Sequence, residues 1–143
     1  MNSPNRIIRV MFIDDNVLAA KAMQRWFATE PDLDFAGWAG EADESVRLIA
    51  SALPDVVLLD LEMPGVDTLS LIPRLMAAHP AARIVMLSGH LRPGDIGKAL
   101  DAGAAGYIGK DEPTTVITAL LRRAAGGECV LSPLVQRAYL DVR

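Results

Sequence analysis

The stretch "DVVLLDLEMPGVD", residues 55–67, decides the fold. Four apolar residues, Val56 to Leu59, run without alternation into an acid, Asp60, and "MPG" then turns the chain away. An apolar run so short, bounded by turn residues, reads as a strand buried on both faces. Strands of that kind belong to parallel sheets covered by helices on each side. The question it raises is why such a strand should be aimed at a carboxylate.

Outward from that stretch, strand-like and helix-like segments alternate. "IIRVMFID" (7–14), the weaker "DFAGWA" (34–39), "ARIVMLS" (82–88) and "GYIGK" (106–110) read as further strands. Helical spacing covers 16–29, with Leu18, Ala22 and Trp26 in one row and Ala19, Met23 and Phe27 in the next. It returns in 41–53, somewhere within 67–79, from Pro93 to about Gly103, and in 113–126. Pro73 lies inside the third helix, where it removes a backbone donor and predicts a kink or a late start. The expectation is an α/β fold: a doubly wound five-stranded parallel sheet of flavodoxin-like order 2-1-3-4-5, with helices on both faces. Sheets of this type place function at the carboxyl ends of their strands, beside the switch in strand order. There the first strand ends in Asp14-Asp15, the third in Asp60, the fourth in Ser88 and the fifth in Lys110.

Taken singly, these residues read as helix caps, turn residues or a solvated lysine. Together they read as chemistry. Three carboxylates crowded on one rim repel and call for a cation. Hard oxygen ligands without His or Cys select Mg2+ or a similar ion, which commonly bridges to phosphate. Lys110 offers a point charge and Ser88 a neutral donor to phosphoryl oxygens. Asp60 is an anionic nucleophile at neutral pH without a general base. The set reads as phosphoryl transfer onto an aspartate, driven by positioning and charge neutralisation.

Composition sets the limits. The chain of 143 residues, 51% hydrophobic, suits one globular domain with its own core. No apolar run reaches the ~18 residues of a membrane span, and "MNSPNR" opens no signal peptide, so a cytoplasmic location and no membrane contact are expected. Cys129 is single, which leaves neither a disulfide framework nor a cysteine metal site. A net charge of −4 argues against nucleic-acid binding by these residues.

"FIDDN", "LLDLEMPG", "VMLSGH" and "AGAAGYIGKDEP", at their spacing over about residues 6–126, resemble the receiver domain of bacterial two-component response regulators. The resemblance implies that Asp60 accepts a phosphoryl group from a sensor histidine kinase. It implies Mg2+ held by Asp15 and Asp60, by Asp14 through water and by the backbone carbonyl of Glu62. Ser88, Lys110 and the backbone N–H of Gly89 would hold the phosphoryl oxygens, and Ser88 with Tyr107 would form the switch. Glu62 and His90 fall at positions that in the family tune phosphate lifetime. Thr68 stands where the family often has Gly. Trp38, at the end of the second strand, stands where a polar residue is usual and is expected to pack half-buried against the first helix. Gly94 and Gly97 weaken the fourth helix, which makes it the expected movable element.

"AAGGECVLSP" resembles the junction before a LuxR-type helix-turn-helix output domain. Residues 127–143 are read as a C-terminal linker or tail in which 132–143 could form a short amphipathic helix. No DNA-binding domain is expected within these 143 residues. Any DNA contact would come through a C-terminal domain absent here, making it the receiver of a transcription regulator; the alternative is a stand-alone receiver acting through protein contacts or a phosphorelay. Homodimerisation on phosphorylation is expected through the last helices and strands. An aspartate-nucleophile phosphatase of the haloacid dehalogenase type fits less well, because "DDNVL" lacks its D-x-D pattern and Asp60 would go unexplained. A flavodoxin-like ligand binder would need a Gly- or Ser-rich loop that "DDNVLAA" does not supply.

Overall fold

The computed structural model describes residues 6–140. The elements are β1 (Ile8–Ile13), α1 (Val17–Phe27), β2 (Leu33–Ala39), α2 (Ala42–Ala52), β3 (Val56–Asp60) and α3 (Thr68–Ala78). They continue as β4 (Arg83–Ser88), α4 (Pro93–Asp101), β5 (Gly106–Gly109), α5 (Thr114–Ala125), β6 (Val130–Leu131) and α6 (Pro133–Leu140). All strand pairs are parallel, in the order β2-β1-β3-β4-β5-β6. The doubly wound order 2-1-3-4-5 is as expected, and β3 is central and fully buried along its length.

Because strand side chains alternate, each strand feeds two cores. Val10, Phe12, Val56, Leu58, Val85, Leu87 and Ile108 pack against α1 and α5. Met11, Ile13, Val57, Leu59, Ile84, Met86 and Tyr107 pack against α2, α3, α4 and α6. This explains the unbroken apolar run of β3, which has no solvent face on which to place a polar residue.

Three expectations need correction. The sheet has six strands, not five, because Val130 and Leu131 of the expected tail pair with Gly106 and Tyr107. A Cβ on Gly106 would lie 2.6 Å from the Val130 carbonyl oxygen, so β6 approaches as closely as it does only because that position is glycine. Val130 and Val135 are buried, and Ala138 and Tyr139 pack on the core, so the segment is integral to the body. The predicted helix in 132–143 is present as α6, while residues 141–143 lie outside the described residues. In α1 the inward row is Ala20, Met23 and Phe27; Leu18 is 72% exposed, so the row that begins with it faces out at its start.

The third difference is in α3, which shows no late start. It begins at Thr68, directly after Asp67, whose carboxylate accepts from Ser70 N, and it carries Pro73 as its sixth residue. Pro73 cannot donate to the Leu69 carbonyl and is solvent-exposed, so nothing in the core requires it. Pro73→Ala is expected to stabilise the protein by about 1–2 kcal/mol, the restored bond offset by a freer unfolded chain. Denaturant melts would show this as a higher midpoint at unchanged slope.

Candidate functional site

Strand parity decides which side chains meet. Asp60 follows Val56 and Leu58 in parity, Asp14 follows Val10 and Phe12, and Lys110 follows Ile108, so all three emerge on the α1/α5 side of the sheet. Ser88 follows Ile84 and Met86 and emerges on the opposite side with Tyr107. The rim therefore has two halves.

In the acidic half, one carboxylate oxygen each of Asp14, Asp15 and Asp60 lies within 4.8 Å of the others. Asp14 and Asp60 are buried and Asp15 is exposed. Lys110 Nζ lies 2.9 Å from Asp60 Oδ1. Local bonds fix the loop after β1. Asn16 N donates to Asp14 Oδ1 at 3.0 Å, and the Asn16 side chain caps α1 by accepting from Leu18 N and Ala19 N. The Trp38 indole N–H donates to the Asp14 carbonyl at 2.6 Å. Trp38 is half-buried on the α1 side, as expected, and its bond to the acidic loop is a contact that spacing does not show.

These contacts set the charge state. Burial and the neighbouring Asp14 push the Asp60 carboxyl up to about 7 against the pull of Lys110, so without a cation it is only partly ionised at neutral pH, which corrects the expectation of a ready anion. One cationic side chain does not neutralise this acid cluster. Three convergent hard oxygens fit a divalent cation of the Mg2+ type, which would relieve that repulsion. Lys110 is raised: burial lowers it, but its bond to Asp60 and the surrounding acids outweigh that.

In the other half, the Ser88 hydroxyl accepts from His90 N at 2.9 Å, lies 2.8 Å from the His90 carbonyl, and is hydrogen-bonded to Glu62 Oε1. The Tyr107 hydroxyl donates to the same His90 carbonyl at 3.3 Å, and the ring is completely buried. Burial raises the Tyr107 phenol. Glu62 spans the halves, since its Oε2 lies 3.7 Å from Lys110 Nζ. Burial pushes the Glu62 carboxyl up, yet Ser88 and the adjacent polar groups hold it below its ordinary value. Gly89 follows Ser88 at the exposed start of the β4–α4 loop, and a Cβ there would meet Lys110 Cδ at 3.9 Å.

The structure thus brings together Asp14, Asp15, Asp60, Lys110, Ser88 and Glu62, with Tyr107 behind Ser88. Beyond Lys110 it adds two residues that spacing did not single out. Glu112 is buried and its Oε2 accepts from Leu134 N at 2.9 Å; Ser132 is buried and its Oγ accepts from Gly109 N at 3.1 Å. These bonds tie α6 to the loop that carries Lys110. A cleft of about 590 Å³ opens from the acids along α1 and α5, with Met23, Trp26 and Ile117 in its wall.

A parallel α/β sheet with an acidic rim, a lysine and a hydroxyl at the strand ends defines a class of signalling domain, and comparison with known proteins places the chain within it. Residues 10–122 match the response regulator receiver domain, and the chain belongs to that family. It is 36% identical over 124 residues to the nitrate/nitrite response regulator protein NarL of Escherichia coli K12, covering 86% of this chain and 57% of that protein. It is 40% identical over 114 residues to a protein-glutamate methylesterase/protein-glutamine glutaminase of Nitrobacter hamburgensis, covering 78% of this chain and 30% of that one. The chain therefore spans about half or less of these relatives. Among solved structures, a LuxR-family two-component response regulator from Aurantimonas sp. SI85-9A1 superimposes with a TM-score of 0.88 at 25% identity, over 94% of this chain and 96% of that one. The signal receiver domain of NarL from Mycobacterium tuberculosis does so with 0.79 at 30% identity, over 86% and 99%. No helix among the described residues is long and apolar enough to cross a membrane.

Proposed function

We propose that this receiver takes a phosphoryl group onto Asp60 in an Mg2+-dependent reaction and changes conformation in response. The observation that carries the reading is the convergence of Asp14, Asp15 and Asp60 beside Lys110. In the reaction, an Asp60 oxygen attacks the phosphorus of a sensor kinase's phosphohistidine. The P–O bond forms as the P–N bond breaks, and the imidazole leaves with the electron pair. Lys110 holds one phosphoryl oxygen, while Ser88 and the Gly89 N–H receive others. Asp15, Asp60, the Glu62 carbonyl and, through water, Asp14 would hold Mg2+, which supplies charge neutralisation to the attacking and transferred oxygens. The fully buried position of Asp60 at the end of a rigid strand supports a defined line of attack. Val17 and Leu18, exposed on the first turn of α1 beside the cleft, support docking of a kinase helix there.

The test is incubation with Mg2+ and acetyl phosphate, followed by intact mass. One added phosphoryl group in the parent chain and none in Asp60→Asn is the expected result, and equal labelling of the variant would refute the assignment. A second measurement addresses the switch. Phosphorylation should alter amide exchange in 88–107, around Ser88, the β4–α4 loop and Tyr107, with little change in 7–13; a uniform change across both would count against it. Such a receiver would act in the cytoplasm. The likeness to curated relatives described as transcriptional regulatory proteins supports a role in transcription control, with DNA bound by a separate C-terminal domain. A stand-alone receiver working through protein contacts or a phosphorelay is the second reading, and α6, seated on α4 and β5, favours neither.

A further inference from the structure

Glu62 is the one acid on the rim that touches both halves of the site. Its Oε1 is bonded to the Ser88 hydroxyl. Its Oε2 is buried without a hydrogen-bond partner among the described residues and stands 3.7 Å from Lys110 Nζ. The Glu62 carboxylate thus lies between the neutral donor and the cation to which the reading above assigns the phosphoryl oxygens. We propose that Glu62 is a resident anion in the phosphoryl seat: it holds Ser88 in place before transfer and is displaced when the phosphoryl group arrives. This rests on Asp60 being the phosphoacceptor.

Two features make displacement feasible. The Glu62 backbone is anchored, its N–H donating to Asp60 Oδ1 at 3.2 Å, while the side chain is 30% exposed and so has a path outward. On its outer side a second cleft of about 270 Å³ is lined by Glu62 with His90 and Arg92, and also by Asp67 and Asp95. A carboxylate leaving Ser88 would move toward that loop, and His90 and Arg92 belong to the segment that Ser88 and Tyr107 hold. A phosphoryl group and a carboxylate cannot share Ser88 and Lys110, because like charges at such separations repel strongly where solvent is partly excluded. The exchange of one anion for another would pass the event at Asp60 to the β4–α4 loop.

Charge and shape are separable here. Glu62→Gln keeps an acceptor oxygen for Ser88 and removes the charge; Glu62→Ala removes both. In the full chain with Mg2+, Glu62→Gln is expected to raise the initial rate of labelling by acetyl phosphate, and the affinity for beryllofluoride, roughly tenfold. Its labelling rate should also depend less on salt. Without phosphodonor, amide exchange at 88–92 should be unchanged in Glu62→Gln and faster in Glu62→Ala, a difference that reports the hold on Ser88. Labelling of Glu62→Gln at or below the parent rate, in a parent that does label on Asp60, overturns the resident-anion role alone. A parent chain that neither labels nor binds beryllofluoride overturns the Asp60 reading and this inference with it.

Discussion

Asp60→Asn is expected to abolish phosphoryl acceptance and, in metal-free buffer at pH 8, to make the protein more stable. Both effects have one cause. The carboxylate sits buried within 4.8 Å of Asp14 and Asp15 oxygens, and burial plus Asp14 raise its pKa to about 7 in spite of Lys110. A carboxyl group with a raised pKa in the folded state contributes stability that is complete below its unfolded value. That contribution is lost as the pH rises through about 7. The metal-free parent should therefore be less stable at pH 8 than at pH 6, and Asp60→Asn should flatten that dependence. At pH 8 the gain is expected to be ~1–3 kcal/mol, limited by loss of the Lys110 ion pair, or a rise in Tm of roughly 2–12 °C. Mg2+ should stabilise the parent more at pH 8 than at pH 6, and Asp60→Asn only weakly at either. Thermal melts at two pH values with and without Mg2+ contain all of these comparisons. A variant that melts below the parent at pH 8 would mean that the Lys110 pair outweighs the repulsion.

Ending the chain after Gly126 is expected to cost roughly 3 kcal/mol. That is the net of burying Val130, Val135 and part of Tyr139 against the entropy of ordering α6. A fall in Tm of roughly 6–12 °C is expected. The loss would not stay at the terminus. Gly109 N would lose Ser132 Oγ, Glu112 would keep its carboxylate without Leu134 N, and Tyr107 would lose the strand beside it. Exchange at the amides of 106–112 should therefore rise far more than at β1, and labelling of Asp60 should slow as Lys110 loses its support. A truncated chain with parent Tm and unchanged exchange in β5 would show that α6 only rests on the surface.

Much of the fold and of the site is legible in the sequence, for reasons that differ by residue. Asp60 was legible because a strand without polar alternation must be buried on both faces, and its end is then fixed in space. Asp14 and Lys110 were legible because they end strands at the same rim. The sixth strand was not, since two residues cannot display a period and their pairing depends on the absence of a side chain at Gly106. The inward row of α1 is not legible at Leu18, because alanine-rich helices give a weak stripe and Asn16 rather than apolar spacing sets where that helix begins. The sequence marks Glu62 only by its position after Asp60. That its side chain would link Ser88 to Lys110 across strands of opposite parity is a fact of distance that no one-dimensional pattern contains.

The two-residue length of β6 has a consequence for association between molecules. An outermost strand normally offers unpaired N–H and C=O groups to any passing chain, which is how sheets grow into fibres. Here one border of the sheet is only Val130 and Leu131, closed at once by Pro133 and α6. The other border, β2, breaks its register against β1 between Val10 and Met11 and carries the Arg9–Asp34 ion pair on its flank. Neither border is a long, flat template. If this receiver associates with a second copy, the contact would fall to its helices, where side chains choose the partner and the contact can be made and undone.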